Sequence, residues 1–346
     1  MIDIFPISFA VGVFLIIIEK IRNKFGFVNI RESIQTLHSK SVSRFGGIAI
    51  FSSLMIISFF SNAEEYSFLK TMLLCVCPIF VLGVLDDFTF NFSPAVRLLL
   101  VFPSAFLSYS YLGVEAYSLD IPIIDNLFNY QIFSILFICF AIAGIVNAFN
   151  IIDGINGLVL LFSLSICTTA ILFGYASITD EVMLYFVALF FSILGIFLLN
   201  FPLGRIFVGD GGAYFLGAAL AIGLIKIYQE SLLSPWYVLL MLIYPVTDIF
   251  AAFLRRFFSK KSTLEPDNKH LHHMILGRVK KLGVASSNTQ HFIVTFLTFA
   301  FYMPFMLAAN YFAKDTTVLM ILCFIFILFY FCLYVVLIPK SFRKSS

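Results

Sequence analysis

Apolar runs recur along this chain at roughly 4–19, 45–61, 68–85, 94–113, 131–147, 157–174, 182–200, 211–228, 235–254, 292–311 and 316–338, and no stretch longer than about 35 residues separates two of them. A helix of roughly 17 to 25 apolar residues crosses the hydrocarbon core, where every backbone N–H and C=O must find its partner within the helix. The pattern therefore predicts an all-α, polytopic integral membrane protein of about eleven transmembrane helices, one domain over residues 1–346. Composition agrees: 61% of residues are hydrophobic and 12% charged, against about 25% charged in a soluble domain. Mean hydropathy is +1.02. No room is left for a soluble domain, and no nucleic-acid partner is expected.

The six cysteines all fall inside apolar runs and read as small core residues, not as disulfides or metal ligands. The start, MIDIFPIS, lacks a basic n-region, and its apolar run is followed by Glu19, Lys20, Arg22 and Lys24. It reads as an uncleaved first span.

Alternating the loops between two sides puts nineteen of the 22 Lys and Arg residues on one side and only Lys70, Lys226 and Lys314 on the other. By the positive-inside rule the N-terminus is outside and the C-terminus cytoplasmic. The cytoplasmic loops are then 20–44, 86–94, 148–156, 201–210 and 255–290. Every unusual polar cluster falls on that side.

The third run ends in Asp86 and Asp87, adjacent carboxylates at a helix C-terminus, where the dipole disfavours negative charge and a cation is wanted. Ser93 and Pro94 fit the N-cap and first position of the next helix, leaving Arg97 one turn inside. "NAFNIIDGINGL" (147–158) places Asn147, Asn150 and Asp153 on one arc of a helix before Gly154. Such groups are costly in lipid and belong against a wet, protein-lined cleft. "GRIFVGDGG" (204–212) puts Asp210 before two glycines at a helix start, a geometry that lets backbone N–H groups approach a phosphate. Phe207, three residues earlier, offers an aromatic face, and Arg205 a cation.

Within the ninth run, Asp248 is the one acid placed deeper than a helix end. The longest cytoplasmic loop follows, with His270, His272 and His273 in "PDNKHLHH". Zinc is not indicated, because there is no H-E-x-x-H and no nearby cysteine. Imidazoles in a basic loop suit phosphate oxygens. Together, carboxylates, arginines and histidines on one membrane boundary point to a hard divalent cation holding a polyphosphate.

These residues resemble the polyprenyl-phosphate N-acetylhexosamine-1-phosphate transferase family, which includes phospho-N-acetylmuramoyl-pentapeptide transferase and the undecaprenyl-phosphate N-acetylglucosamine-1-phosphate transferases. The matching pieces are "SRFGG" (43–47), "LDD" (85–87), "NxxNxxDGxxGL" (147–158), "IFVGDGG" (206–212) and "PDNKHLHH" (266–273), in the family's order. The "PDxxHLHH" form is more similar to the N-acetylglucosamine branch.

The resemblance implies transfer of an N-acetylhexosamine-1-phosphate, on this branch GlcNAc-1-phosphate, from a UDP-sugar to undecaprenyl phosphate. UMP leaves, and the lipid-linked diphosphate sugar starts cell-envelope polysaccharide synthesis, such as the O antigen of lipopolysaccharide. It implies Mg2+, or Mn2+ in its place, on Asp210 with Asp86 and Asp87, the latter two also serving the acceptor phosphate. Asn147, Asn150, Asp153, Gly154, Asn156, Phe207, Arg97 and Arg205 would bind substrate, with His270, His272 and His273 near the diphosphate. The enzyme would lie in the inner membrane with its site on the cytoplasmic face, among membrane lipids; whether it forms a homodimer is open. Two departures stand out: Asn156 replaces a common second Asp, and Gly212 a common Ser. The competing reading is a secondary transporter of an anionic solute, which would hold its ionisable groups near the bilayer midplane.

Overall fold

The protein was analysed as a computed structural model that describes residues 4–24, 42–61, 64–88, 92–173, 178–258 and 269–338. The described residues form helices α1 (Ile4–Lys24), α2 (Gly46–Phe60), α3 (Ser67–Asp87), α4 (Pro94–Leu112), α5 (Pro122–Asp125), α6 (Gln131–Ile152), α7 (Leu158–Leu172), α8 (Asp180–Asn200), α9 (Gly209–Ser231), α10 (Pro235–Met241), α11 (Ile243–Phe258), α12 (Leu271–Lys281), α13 (Ser287–Tyr311) and α14 (Thr316–Leu337). A short 3-10 helix, Asn126–Asn129, precedes α6, and no strands form among these residues beyond one isolated bridge, Ser43 to Ile206.

Each apolar run carries helix, and seven of the helices are long and apolar enough to cross a membrane, eight if the broken pair α10–α11 counts as one. The protein is an all-helical, multi-pass membrane protein. α2 and α7 hold only 15 residues each, about 22 Å at 1.5 Å per residue. The six cysteines are free; Cys75, Cys139, Cys167 and Cys323 are buried as core residues, Cys77 is half-buried, and Cys332 is exposed, contrary to the core reading.

The run at 235–254 reads in the sequence as one helix; in the structure it is two, α10 and α11, which meet at 78°. Pro245 explains the break. It has no N–H for the carbonyl four residues back, that of Met241, and the Tyr302 hydroxyl donates to that oxygen instead, at 2.5 Å.

α9 is the central strut, almost wholly buried. Its neighbours approach it backbone to backbone. A Cβ on Gly47 of α2 would stand 2.2 Å from Gly212 Cα, and one on Gly83 of α3 would stand 2.5 Å from Gly211 Cα. Small residues at crossings are how helices in lipid gain packing contact. The glycines of "SRFGG" and "GDGG" therefore serve one joint, which brings the ends of α2, α3 and α9 together.

Candidate active site

The joint is built first from backbone. The Phe207 N–H donates to Ser43 O at 2.7 Å, and the Gly46 and Gly47 N–H groups donate to Phe207 O and Val208 O, both at 2.8 Å. Gly209 then turns the chain into α9 with φ of +77°, where a Cβ would fall 2.1 Å from Arg44 O. Only glycine fits both the conformation and the space.

The head of α9 has an anion, and it is a protein group. The Asp87 carboxylate, at the end of α3, accepts the N–H of Asp210 on Oδ1 and of Gly211 on Oδ2, each at 3.0 Å. Free N–H groups and the dipole make a helix N-terminus attract negative charge, and here they hold Asp87 where a phosphate was expected. Asp86 points elsewhere. It is buried, with Oδ2 at 2.7 Å from Arg97 Nε, and its Oδ1 accepts the Phe92 N–H at 3.3 Å. Arg97 sits one turn into α4, whose Ser93 cap and leading proline are as expected.

At the end of α6, Asn150 donates its amide to Asp210 Oδ1 at 2.8 Å. Asp153 follows, half-buried. Burial, then the Asp210 and Asp87 charges, push its carboxyl well above the usual carboxylate range, with Arg44 opposing. Gly154 leaves space that His273 uses: a Cβ there would lie 2.9 Å from His273 Nε2. Asn147, on the same arc, turns back to Ala143 O of its own helix at 2.8 Å.

Asn156 is buried and held by its backbone. Its N–H donates to His291 Nδ1 at 3.1 Å, and its carbonyl accepts the Thr295 hydroxyl at 2.8 Å. Next to it, Gly157 N–H donates to Asn200 Oδ1 at 2.6 Å, while Asn200 Nδ2 donates to Ile206 O at 2.7 Å. The turn after α6 is thus pinned to the ends of α8 and α13.

The histidines lead into α12. The rings of His272 and His273 lie 4.5 Å apart, and that of His270 lies 5.7 Å and 5.9 Å from them. His272 Nδ1 pairs with the Tyr244 hydroxyl at 3.0 Å. Burial first, then the neighbouring His273, hold the His272 imidazole well below its ordinary range, so it is neutral at pH 7.

Of the expected residues, Asp87, Asn150, Asp153, Gly154, Asp210 and the histidine cluster converge at one end of the bundle, with Asp86 and Arg97 alongside. Asn147 turns away, Asn156 serves the turn, Phe207 is half-buried within the joint, and Arg205 is exposed. The start of the histidine motif, 266–268, lies outside the described residues, as do Arg31, Lys40, Lys260 and Lys261. Four residues escaped the sequence reading as members of the site: Arg44, Asn200, His291 and Asp248. Asp248 carried a usable signal, because an ionisable residue inside an apolar span is a functional candidate by default; Asn200 and His291 gained meaning only from the fold.

Among the described residues, no group of three or more His, Cys, Asp or Glu side chains could by itself hold a metal ion. What the chain brings together is the neighbouring acids Asp153 and Asp210 beside Asp87, close enough for their charges to act on one another. That donor set fits Mg2+, which is commonly held by one or two carboxylates plus substrate phosphates.

Fold and site define a multi-pass membrane protein with an acid- and histidine-lined site at one end of its helices. Residues 69–228 match the family "Glycosyl transferase family 4", a segment that contains Asp86, Asp87, Asn147, Asn150, Asp153 and Asp210. The chain is 29% identical over 272 residues to the undecaprenyl-phosphate alpha-N-acetylglucosaminyl 1-phosphate transferase of Thermotoga maritima, covering 78% of this chain and 81% of that one. It is 29% identical over 265 residues to a Bacillus subtilis protein named probable undecaprenyl-phosphate N-acetylglucosaminyl 1-phosphate transferase, covering 75% and 72%. Against the undecaprenyl-phosphate alpha-N-acetylglucosaminyl 1-phosphate transferase of Escherichia coli K12 it is 26% identical over 351 positions, covering 96% and 90%. The resemblance read from the motifs holds over most of the chain.

Proposed function

We propose that this protein transfers an N-acetylhexosamine-1-phosphate, on the reading favoured here GlcNAc-1-phosphate, from a UDP-sugar to undecaprenyl phosphate. The observation that carries the reading is the meeting of Asp87, Asn150, Asp153, Asp210 and His273 from four distant segments at one end of the bundle. The names of the relatives support it. The transporter reading has no support.

In the proposed reaction an acceptor phosphate oxygen forms a bond to the β-phosphorus, the bond from that phosphorus to the bridging oxygen breaks, and UMP leaves with that oxygen. Asp210 and Asp153 would hold Mg2+, in place of the Asp86 and Asp87 of the sequence reading, which engage Arg97 and the N–H groups of α9, and the ion would supply positive charge against the phosphate oxygens. Asn150 orients Asp210, and Asp87 holds the head of α9. Both Asp87 oxygens are committed to backbone N–H groups, which favours a positioning role over a nucleophile or base. An acceptor phosphate with a second pKa of about 6 needs little deprotonation at pH 7. Neutral His272, its Nδ1 paired with the Tyr244 hydroxyl, would stand with His270 and His273 beside the diphosphate.

An apolar cavity of about 290 Å³ lies between α6, α9, α10 and α11, lined by Phe137, Ile145, Ile225, Trp236, Leu239 and Val246 among others. Ile225 is about 22 Å along α9 from Asp210 at 1.5 Å per residue, so the cavity belongs to the other end of the helices. We further read the whole chain as one domain of about eleven spans in the inner membrane, N-terminus outside and the site on the cytoplasmic face, from the distribution of Lys and Arg. The test is a panel of UDP-N-acetylsugars with purified protein, Mg2+ and undecaprenyl phosphate, followed by UMP release. Release with UDP-GlcNAc and dependence on the lipid are expected; release that ignores the lipid would overturn the assignment.

A further inference from the structure

Asp248 lies fully buried in α11, and it is engaged by three groups. Its Oδ2 is 2.7 Å from His270 Nδ1, and its Oδ1 accepts the Leu271 N–H at 3.0 Å and the Tyr330 hydroxyl at 2.5 Å. His270 is the N-cap residue of α12, yet its own side chain caps nothing. The carboxylate of another helix does that work, one N–H of the new helix resting on Asp248.

A carboxylate only accepts, so the 2.7 Å contact requires the proton on His270 Nδ1. Nε2 is then the nitrogen left for another partner. The His270 ring lies parallel to that of His272, at 7°, and His273 packs on Gly154 beside Asp153. The direction of the His270 ring and the start of α12 are thus set by one buried acid, one helix away from the proposed phosphates.

We propose that Asp248 is a positioning residue of the transfer reaction: it fixes the Nδ1-protonated form of His270 and docks the histidine-bearing end of α12, so that the imidazoles carried there stand beside the diphosphate of the nucleotide sugar. This rests on the reading of the site given above. A merely structural role for the same acid, tying α11, α12 and α14 together, makes different predictions.

The experiment compares wild type, Asp248→Asn, His270→Ala and the double variant as purified full-length protein with Mg2+, UDP-GlcNAc and undecaprenyl phosphate. Asp248→Asn is expected to lower kcat about 10- to 100-fold, the range for losing the carboxylate behind a working histidine, with both KM values little changed. The double variant is expected to be no slower than His270→Ala, because the two act as one unit. A full kcat in Asp248→Asn, or losses that multiply in the double variant, overturns the proposal. Wild-type kcat in His270→Ala instead removes the histidine from the reaction and counts against the site reading itself. If Asp248→Asn does not fold, 15N NMR of histidine-labelled wild type, assigned with His270→Ala, decides: a protonated Nδ1 on His270 is expected, and an unprotonated one overturns the proposal.

Discussion

Asn150 donates its side-chain amide to Asp210 Oδ1 at 2.8 Å across 60 positions of sequence. The bond ties the end of α6 to the start of α9, and among the described residues it is the one side-chain hydrogen bond to the Asp210 carboxylate. A hydrogen bond to a charged group contributes about 1.5–3 kcal/mol. Asn150→Ala should therefore lower kcat roughly 10- to 100-fold by freeing the Asp210 carboxylate to rotate. Asn150→Asp should be worse at low Mg2+, since it sets a like charge against Asp210. Initial rates of UMP release over a Mg2+ titration measure both.

Asp87 is expected to matter for stability as well as rate. Asp87→Ala strands two N–H groups of α9, each costing about 1–3 kcal/mol if it stays unsatisfied. Asp87→Asn keeps one acceptor and should lose about half as much. Thermal unfolding in detergent should rank wild type above Asn above Ala.

Gly212 departs from the serine common in the family it resembles, and its surroundings give the reason. A Cβ there would lie 2.5 Å from Val208 Cγ1 and 2.6 Å from Gly47 Cα. Gly212→Ser should therefore destabilise this protein by about 1–3 kcal/mol, as overpacking does, and lower activity, although it moves the sequence toward its relatives. Unfolding midpoints for Gly212→Ser and Gly47→Ala should fall together, because both open the same joint.

The pH dependence follows from Asp153. Burial and the Asp210 and Asp87 charges raise its carboxyl well above the usual range, so without a cation the folded protein binds this proton more tightly than the unfolded chain. Its contribution to stability is then full at low pH and is lost as pH rises through the folded value. A divalent cation competes with that proton. The Mg2+ concentration for half-maximal rate should fall as pH rises, and Asp153→Asn should flatten the dependence.

Much of this was legible from residue order alone. Apolar length located every long helix, because backbone groups in lipid allow little else, and Ser93 and Pro94 marked the start of α4 through local chemistry. The break at Leu242 was not read, although Pro245 was in plain view: the bend also needs Tyr302 to take the Met241 carbonyl, and that partner is 61 positions away. The partners of Asp86 and Asp87 were hidden for a similar reason. Adjacent acids share a need for positive charge, but whether a guanidinium or a helix end meets it depends on how α4 and α9 pack. His291 and Asn200 hold backbone groups of the turn after α6, a role with no local signature.

The most direct test of the central claim is transfer of labelled sugar phosphate from UDP-GlcNAc to undecaprenyl phosphate by the purified protein, wild type beside Asp210→Asn. Label should enter the lipid with wild type, stop with EDTA, return with Mg2+, and drop sharply with Asp210→Asn. Undiminished transfer by Asp210→Asn would contradict the account, and so would folded wild-type protein that transfers nothing from any UDP-N-acetylsugar.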